Sequence, residues 1–373
     1  MMISVDLSQF KNTQHSPAFL RLEPRAASEL KTSLRDFCVP ANPYFPTPGI
    51  YALLKENLET LLKFYPSSNE TISHDLSRAL ELDPKTLVVA NGSTKLITWI
   101  HELLMGDTLT TDVPTFGKWT DLPLMAGKRL HPFQRRAEDD FALDVDGWIR
   151  YAKQMQVDSL VLCNPNNPTS QIVSKSEVLH LVDSLPELRL IVIDESFIDF
   201  SGSEIPSIAG EAVTRPNLIL LKSLGKSFGL HGMRAGYAVA NHETAQRLRE
   251  KLPGWNINAI TEYLIRIFPN FLEEYELSRQ LVIQDTRYLY ETLSTIPGLK
   301  VYEPHSNFVY VHLLQGDGKY FRDELLTRFG FLIRECGNKI GSSSQYFRIA
   351  ARPVQDTEKL VTAIGAILPG RFL

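Results

Sequence analysis

The sequence is expected to fold as an α/β protein, with a mostly parallel sheet carrying helices on both faces and a smaller α+β domain after it. Three observations predict this. Short apolar runs alternate with longer stretches of helical pattern. The runs are apolar throughout, as expected of strands buried on both faces. The texture then changes beyond about Leu252, where long helical stretches come to dominate.

In chain order, the Pro-rich segment Pro40–Pro48 is expected to be an extended loop that closes an N-terminal arm, residues 1–48. That arm should pack with the smaller domain. A large domain follows over residues 49–251. Its expected strands are Leu87–Ala90, Leu160–Cys163, Leu188–Ile193, Asn217–Leu221 and Gly236–Ala240. Lys95–Met105 and Lys175–Leu185 read as helices, the second opened by a capping box of Ser174 and Glu177. The smaller domain takes residues 252–373. It should hold a helical stretch, Ala259–Leu293, broken near Pro269, and two strands, Asn307–His312 and Tyr346–Ala350. In an open parallel sheet the ligand sits at the carboxyl ends of the strands, so functional residues are sought just past each run.

The bulk numbers remove several classes of function. The 373 residues suffice for one large core and a second, smaller one. A net charge of −4 gives no basic footprint, which argues against nucleic acid and anionic membrane as partners. The first twenty residues lack the pattern of a secretory signal, and no apolar stretch approaches a membrane span. Cys38, Cys163 and Cys336 are far apart and fit neither a metal site nor a disulfide framework, so the expected compartment is the cytoplasm.

Four segments carry chemistry. Asn91-Gly92-Ser93-Thr94 lies between a strand and a helix, where a glycine lets backbone approach a ligand and hydroxyls can meet an anion. Taken alone it is equally a plain turn with a hydroxyl cap. Asn164-Pro165-Asn166-Asn167-Pro168-Thr169 brackets an Asn pair with prolines, which can hold an amide at fixed orientation or simply make a turn. Asp194-Glu195 ends a strongly apolar strand, and a buried carboxylate there needs a cation or metal, although no His or Cys cluster accompanies it. Ser223 to Arg234 surrounds Lys226 with small residues, and desolvation would favour its neutral, nucleophilic amine. Ser223 and Arg234 together would suit a phosphate. A nucleotide P-loop is excluded because the G-x-x-x-x-G-K pattern is missing.

Together and in this order, the four segments are similar to those of the class I/II aminotransferase superfamily of fold-type I, enzymes that use pyridoxal 5'-phosphate (PLP). The resemblance covers essentially the whole chain, and it implies roles. Lys226 would bind the cofactor covalently. Asp194 would sit against the pyridine nitrogen and keep it protonated, an attraction on the order of 4 kcal/mol at about 4 Å in an effective dielectric near 20. Asn167 would hold the ring hydroxyl and Phe116 would stack on the ring. Ser93, Thr94, Ser223 and Arg234 would take the cofactor phosphate. Tyr65 resembles the tyrosine that reaches that phosphate across a homodimer interface, and Asn42 a substrate-side asparagine, although a turn-forming Asn fits equally.

Two branches of the superfamily compete. Lys226 to Tyr237 matches the K-x-F-G-L-x-G-x-R-x-G-Y segment of histidinol-phosphate aminotransferases. Asp194 to Phe200, Trp255 to Ala259 and Ile333 to Asn338 resemble the threonine-phosphate decarboxylases instead. Phe197 stands where the aminotransferases usually carry a tyrosine. Both branches take phosphorylated substrates, whose phosphate and carboxylate Arg334 and Arg348 would bind. The resemblance thus implies a decarboxylase of a small O-phosphorylated amino acid, with an aminotransferase as the alternative. A non-catalytic, PLP-binding regulator is a remote third reading, for which the arm looks too short to hold a helix-turn-helix. Ser170 replaces the usual Gly and Ser196 the usual Ala, with little effect expected. His231 stands where the decarboxylases tend to have Pro.

Overall fold

The structure, a computed structural model, describes residues 34–202 and 206–368. Residues 1–33 of the N-terminal arm, including any helix-turn-helix segment there, lie outside the described residues, as do residues 369–373 of the expected smaller domain.

Seven strands form the larger sheet, in the order Leu87–Ala90, Gly236–Val239, Leu218–Ser223, Leu190–Asp194, Ser159–Cys163, Thr108–Val113, Arg129–Gln134. Gly236–Val239 pairs antiparallel to both of its neighbours, and every other pairing is parallel. Leu87–Ala90, Ser159–Cys163 and Leu190–Asp194 are buried along their whole length, which is why their sequences are almost wholly apolar. Two strands are not legible as such runs. Thr108–Val113 is buried but rich in threonine and ends in Asp112-Val113. Arg129–Gln134 is an edge strand, so it tolerates a polar outer face and Pro132, whose missing N–H is not needed for a second partner.

Beyond Leu252, Asn258 caps the helix Ala259–Ile267, a short 3-10 turn Phe268–Phe271 spans Pro269, and a long helix runs Leu272–Ser294. The break falls where a proline denies the helix its hydrogen bond. A four-stranded antiparallel sheet completes this part, in the order Arg334–Glu335, Tyr346–Ala350, Phe308–Leu313, Leu299–Tyr302. Its register sets Arg334 opposite Arg348. The arm joins this sheet's side of the molecule: Arg35–Asp36 pairs in parallel with Phe331–Leu332, and Ala350 N–H donates to the carbonyl of Phe37.

A buried ion pair underlies the loop that follows Cys163. Arg135 Nε donates to Asp112 Oδ2 at 2.6 Å with neither side chain exposed, and Asn166 Nδ2 donates to the same oxygen at 2.9 Å. Arg135→Leu leaves that carboxylate buried without a cation, and should lower stability by about 3–5 kcal/mol. Denaturant unfolding at fixed protein concentration measures it, and a loss below about 1 kcal/mol would show the pair to be dispensable.

Candidate active site

Because Leu87–Ala90, Thr108–Val113, Ser159–Cys163, Leu190–Asp194 and Leu218–Ser223 all run in one direction, the loops after Ala90, Val113, Cys163, Asp194 and Ser223 leave one edge of the sheet together. Register sets Cys163 beside Asp194 and Asp194 beside Leu221. A cavity of about 730 Å³ opens there, between this edge and the smaller sheet. Ten of the twelve residues singled out in the sequence line it: Ser93, Thr94, Phe116, Asn167, Asp194, Ser223, Lys226, Arg234, Arg334 and Arg348. Asn42 and Tyr65 do not.

Asp194 is buried on the cavity floor and receives only neutral donors. Ser196 N–H (3.1 Å) and Ser196 Oγ (2.6 Å) donate to Oδ1, and Trp119 Nε1 donates to Oδ2 at 2.9 Å. Burial raises the carboxyl above its ordinary range, and these hydrogen bonds oppose the rise. A carboxylate so placed calls for a cationic ligand. Ser196 therefore does more than the sequence suggested: the Ala it replaces could not make the 2.6 Å bond. Trp119 was missed outright, because a tryptophan on the short helix Lys118–Met125 reads as ordinary core.

Lys226 lies in the turn Leu224–Ser227, directly after the strand that ends at Ser223. Burial, aided by the positive charges of Arg348 and Arg234 and opposed by Cys38 and Asp36, lowers its ammonium to about 7. Its Nζ lies 3.2 Å from His231 Nε2.

At the opposite side, Ser93 and Thr94 begin the helix Ser93–Leu103, and Gly92 has φ +81°. A Cβ on Gly92 would stand 3.1 Å from Arg234 Cζ, so glycine is what lets the guanidinium lie against this helix start. Two hydroxyls, a helix N-terminus and an arginine make an anion cradle.

The Asn-Pro loop divides its tasks. Asn164 bonds the backbone of Val173 in both directions, at 2.8 and 2.9 Å. Asn166 ties Thr169 to Asp112. Asn167 Oδ1 accepts from Arg348 Nη1 at 2.7 Å, which leaves the Asn167 amide nitrogen as its donor for a ligand. Ser170 has φ +64°, the conformation that explains the usual glycine; its hydroxyl meets Ser306 Oγ at 2.7 Å and receives His305 N–H at 3.0 Å.

The smaller sheet supplies a cationic wall. Arg334 Nη2 donates to Asn338 Oδ1 at 2.7 Å, and Arg348 Nη2 donates to the carbonyl of Cys38 at 2.6 Å. Arg348 Nε is buried without a hydrogen-bond partner. Lys339, unremarked in the sequence, joins them on the lining; its Nζ donates to the carbonyl of Thr115 at 2.6 Å, and burial lowers it to about 8. Phe197 packs edge-on against Phe308 at 5.1 Å and offers no hydroxyl.

Asn42 bonds within the protein rather than to the cavity. Its amide donates to the Ser227 carbonyl (3.0 Å) and Ser278 Oγ (2.8 Å), and its Oδ1 accepts from Tyr44 N–H. Tyr65 is 80% exposed and packs on Trp255 at 4.8 Å, outside its own chain's cavity.

The donor set suits PLP: an anion cradle for its phosphate, a buried carboxylate for its ring nitrogen, and a desolvated lysine for its aldehyde. Among the described residues no cluster of His, Cys, Asp and Glu is arranged to hold a metal ion, and no helix is long and apolar enough to cross a membrane.

The description "aminotransferase class I and II" matches residues 37–367 of the chain. An L-serine phosphate decarboxylase from Campylobacter jejuni is 30% identical, with 97% of this chain and 96% of that protein covered. A histidinol-phosphate aminotransferase from Thermoanaerobacter pseudethanolicus is 28% identical, over 84% of this chain and 88% of its own length. The solved structure of a decarboxylase from Sulfurospirillum multivorans superposes with a TM-score of 0.82 at 29% identity, covering 98% of this chain and 99% of that one. The chain belongs to the class I and II aminotransferase family of PLP-dependent enzymes.

Proposed function

We propose that the protein removes carbon dioxide from a small O-phosphorylated amino acid, phosphoserine or its methylated counterpart phosphothreonine. The observation that carries this reading is the register of Arg334 opposite Arg348 on the cavity wall. Like charges directly opposite on antiparallel strands repel. An anionic ligand offsets that repulsion, and a substrate with both a phosphate and a carboxylate gives each guanidinium an anionic group that can accept two hydrogen bonds. Lys339 adds a third positive charge, which matches the doubly charged phosphate. The likeness to an L-serine phosphate decarboxylase over nearly the whole chain supports the same substrate class.

PLP, when bound, supplies an electron sink for the pair left on the substrate's α-carbon. The protein's own residues set the rest. Asp194, oriented by Trp119 and Ser196, holds a proton on the ring nitrogen. Asn167 offers its amide to the ring oxygen, and Phe197 cannot, being without a hydroxyl. With PLP bound, Arg334, Arg348 and Lys339 would hold the substrate's two anions and so set how the bonds at its α-carbon are oriented.

The working unit is a homodimer. Leu62, Phe64, Tyr65 and Trp255 are all large, apolar or aromatic, and 62–80% exposed. The patch adjoins the cradle, since Asn256, next to Trp255, accepts from Asn91 N–H at 3.4 Å. A second chain covering it would bring Tyr65 to the other cofactor's phosphate. The three free, buried thiols suit the reducing cytoplasm.

Incubated with phosphoserine or phosphothreonine and no 2-oxo acid, the enzyme should release one carbon dioxide per substrate over many turnovers. A single turnover that stops until 2-oxoglutarate is added would show an aminotransferase instead.

Lys226 should capture PLP with a rate that climbs as pH rises through about 7, since only the neutral amine attacks the aldehyde and the folded site depresses its ammonium. Stopped-flow absorbance on the cofactor-free protein measures this, and a midpoint near 10 would mean the lysine is solvated.

Tyr65→Phe should leave the protein dimeric in sedimentation while weakening PLP about 10- to 100-fold, the effect of one hydrogen bond to a charged group. A monomeric wild type with full activity would exclude the shared site.

A further inference from the structure

The pair formed by Lys226 and His231 has no part yet in the chemistry. His231 starts the 3-10 turn His231–Met233, and it lines the cavity half-buried, with Nε2 3.2 Å from Lys226 Nζ. The returning chain packs against the turn that carries Lys226: a Cβ on Gly225 would be in van der Waals contact with the Leu230 carbonyl oxygen at 3.4 Å and with His231 Cα at 3.5 Å.

The two candidate reactions differ in their proton balance. Amino transfer moves a proton off the α-carbon and back onto a neighbouring carbon, so a single lysine can serve as both acceptor and donor. Decarboxylation breaks the bond to the carboxylate, leaves the electron pair on the α-carbon, releases carbon dioxide and forms a new C–H bond. Each turnover therefore takes up one proton from outside. Lys226 stands among Arg348 and Arg234, which disfavour its ammonium form, and Cys38 and Asp36, which favour it. At neutral pH it carries its proton only part of the time, and a decarboxylase needs that proton replaced.

We propose that His231 is the proton-supplying partner of Lys226: the imidazolium passes a proton from Nε2 to Lys226 Nζ, Lys226 delivers it to the decarboxylated carbon, and solvent water recharges the imidazole. Imidazole is suited to this because it exchanges protons readily near neutral pH. The role rests on the decarboxylase reading above. His231 acts through Lys226, so it is a positioning residue rather than one that touches the reacting carbon.

The test uses the PLP-loaded His231→Gln and His231→Ala enzymes. Carbon dioxide release by the wild type is measured first; its absence sinks the decarboxylase reading itself. With release established, His231→Gln should lower kcat by about 10- to 100-fold, at the low end of proton-transfer catalysis, with KM changed less than about threefold. Added imidazole should restore part of the rate to His231→Ala, and more so at a pH where it is partly protonated. One readout does not depend on turnover: the pH midpoint of the visible absorbance of the Lys226-bound cofactor should move when the neighbouring imidazole is removed, while borohydride still labels Lys226. A His231→Gln enzyme with unchanged kcat and an unchanged absorbance midpoint overturns the proposal and leaves the decarboxylase reading standing. A loss of rate that imidazole cannot restore, accompanied by loss of bound cofactor, also overturns it by showing that His231 is structural.

Discussion

A carboxylate buried at the edge of a sheet cannot be left alone, and Asp194 organises much of what surrounds it. The strand that carries it is apolar up to Asp194, its last residue, and buried throughout, so the charge lies largely out of water. Two neutral donors, Trp119 and Ser196, come from two different segments to hold its oxygens in place. Neither donor neutralises it. The site thus calls for a cation against Asp194, and the pyridinium of PLP would fill that need. The position of the lysine, the cradle and the Asn-Pro loop around the same floor follows from the parallel sheet, which delivers successive loops to one edge.

The opposite wall obeys the reverse rule. It gathers positive charge on the smaller sheet, with two arginines in register and Lys339 close by on the chain. Polar contacts bind the side of the molecule that carries this wall to loops of the larger sheet. They join Arg348 to Asn167, Lys339 to the Thr115 carbonyl, Ser170 to Ser306, and Gln171 to the Glu303 carbonyl. Two of the side chains proposed to meet the anionic substrate, Arg348 and Lys339, thus also tie the two sheets together. A substitution in this group should be read with both effects in mind, because geometry and charge are altered together.

Between floor and wall sits the loop from Ser223 to Arg234, where the family's shared apparatus is modified. Its return leg brings His231 to Lys226 and Arg234 to the helix start at Ser93. Gly236–Val239, antiparallel in an otherwise parallel sheet, is what turns the chain back so that both ends of this loop face the cavity.

The sequence by itself determined the sheet class, the buried strands Leu87–Ala90 and Leu160–Cys163, and the placement of Lys226 and Asn167 just past strand ends and of Asp194 at one. Apolar runs and their flanking turn residues are local signals, and these features are local. It could not show Thr108–Val113 or Arg129–Gln134, since threonine-rich and edge strands lack a two-sided apolar run. Nor could it show that Trp119 and Ser196 meet at Asp194, that Lys339 shares a wall with Arg334 and Arg348, or that Asn42 is used up by Ser227 and Ser278. Those facts join residues up to 236 positions apart in the chain. They depend on strand order, register and the angle between two sheets, which only the folded chain decides.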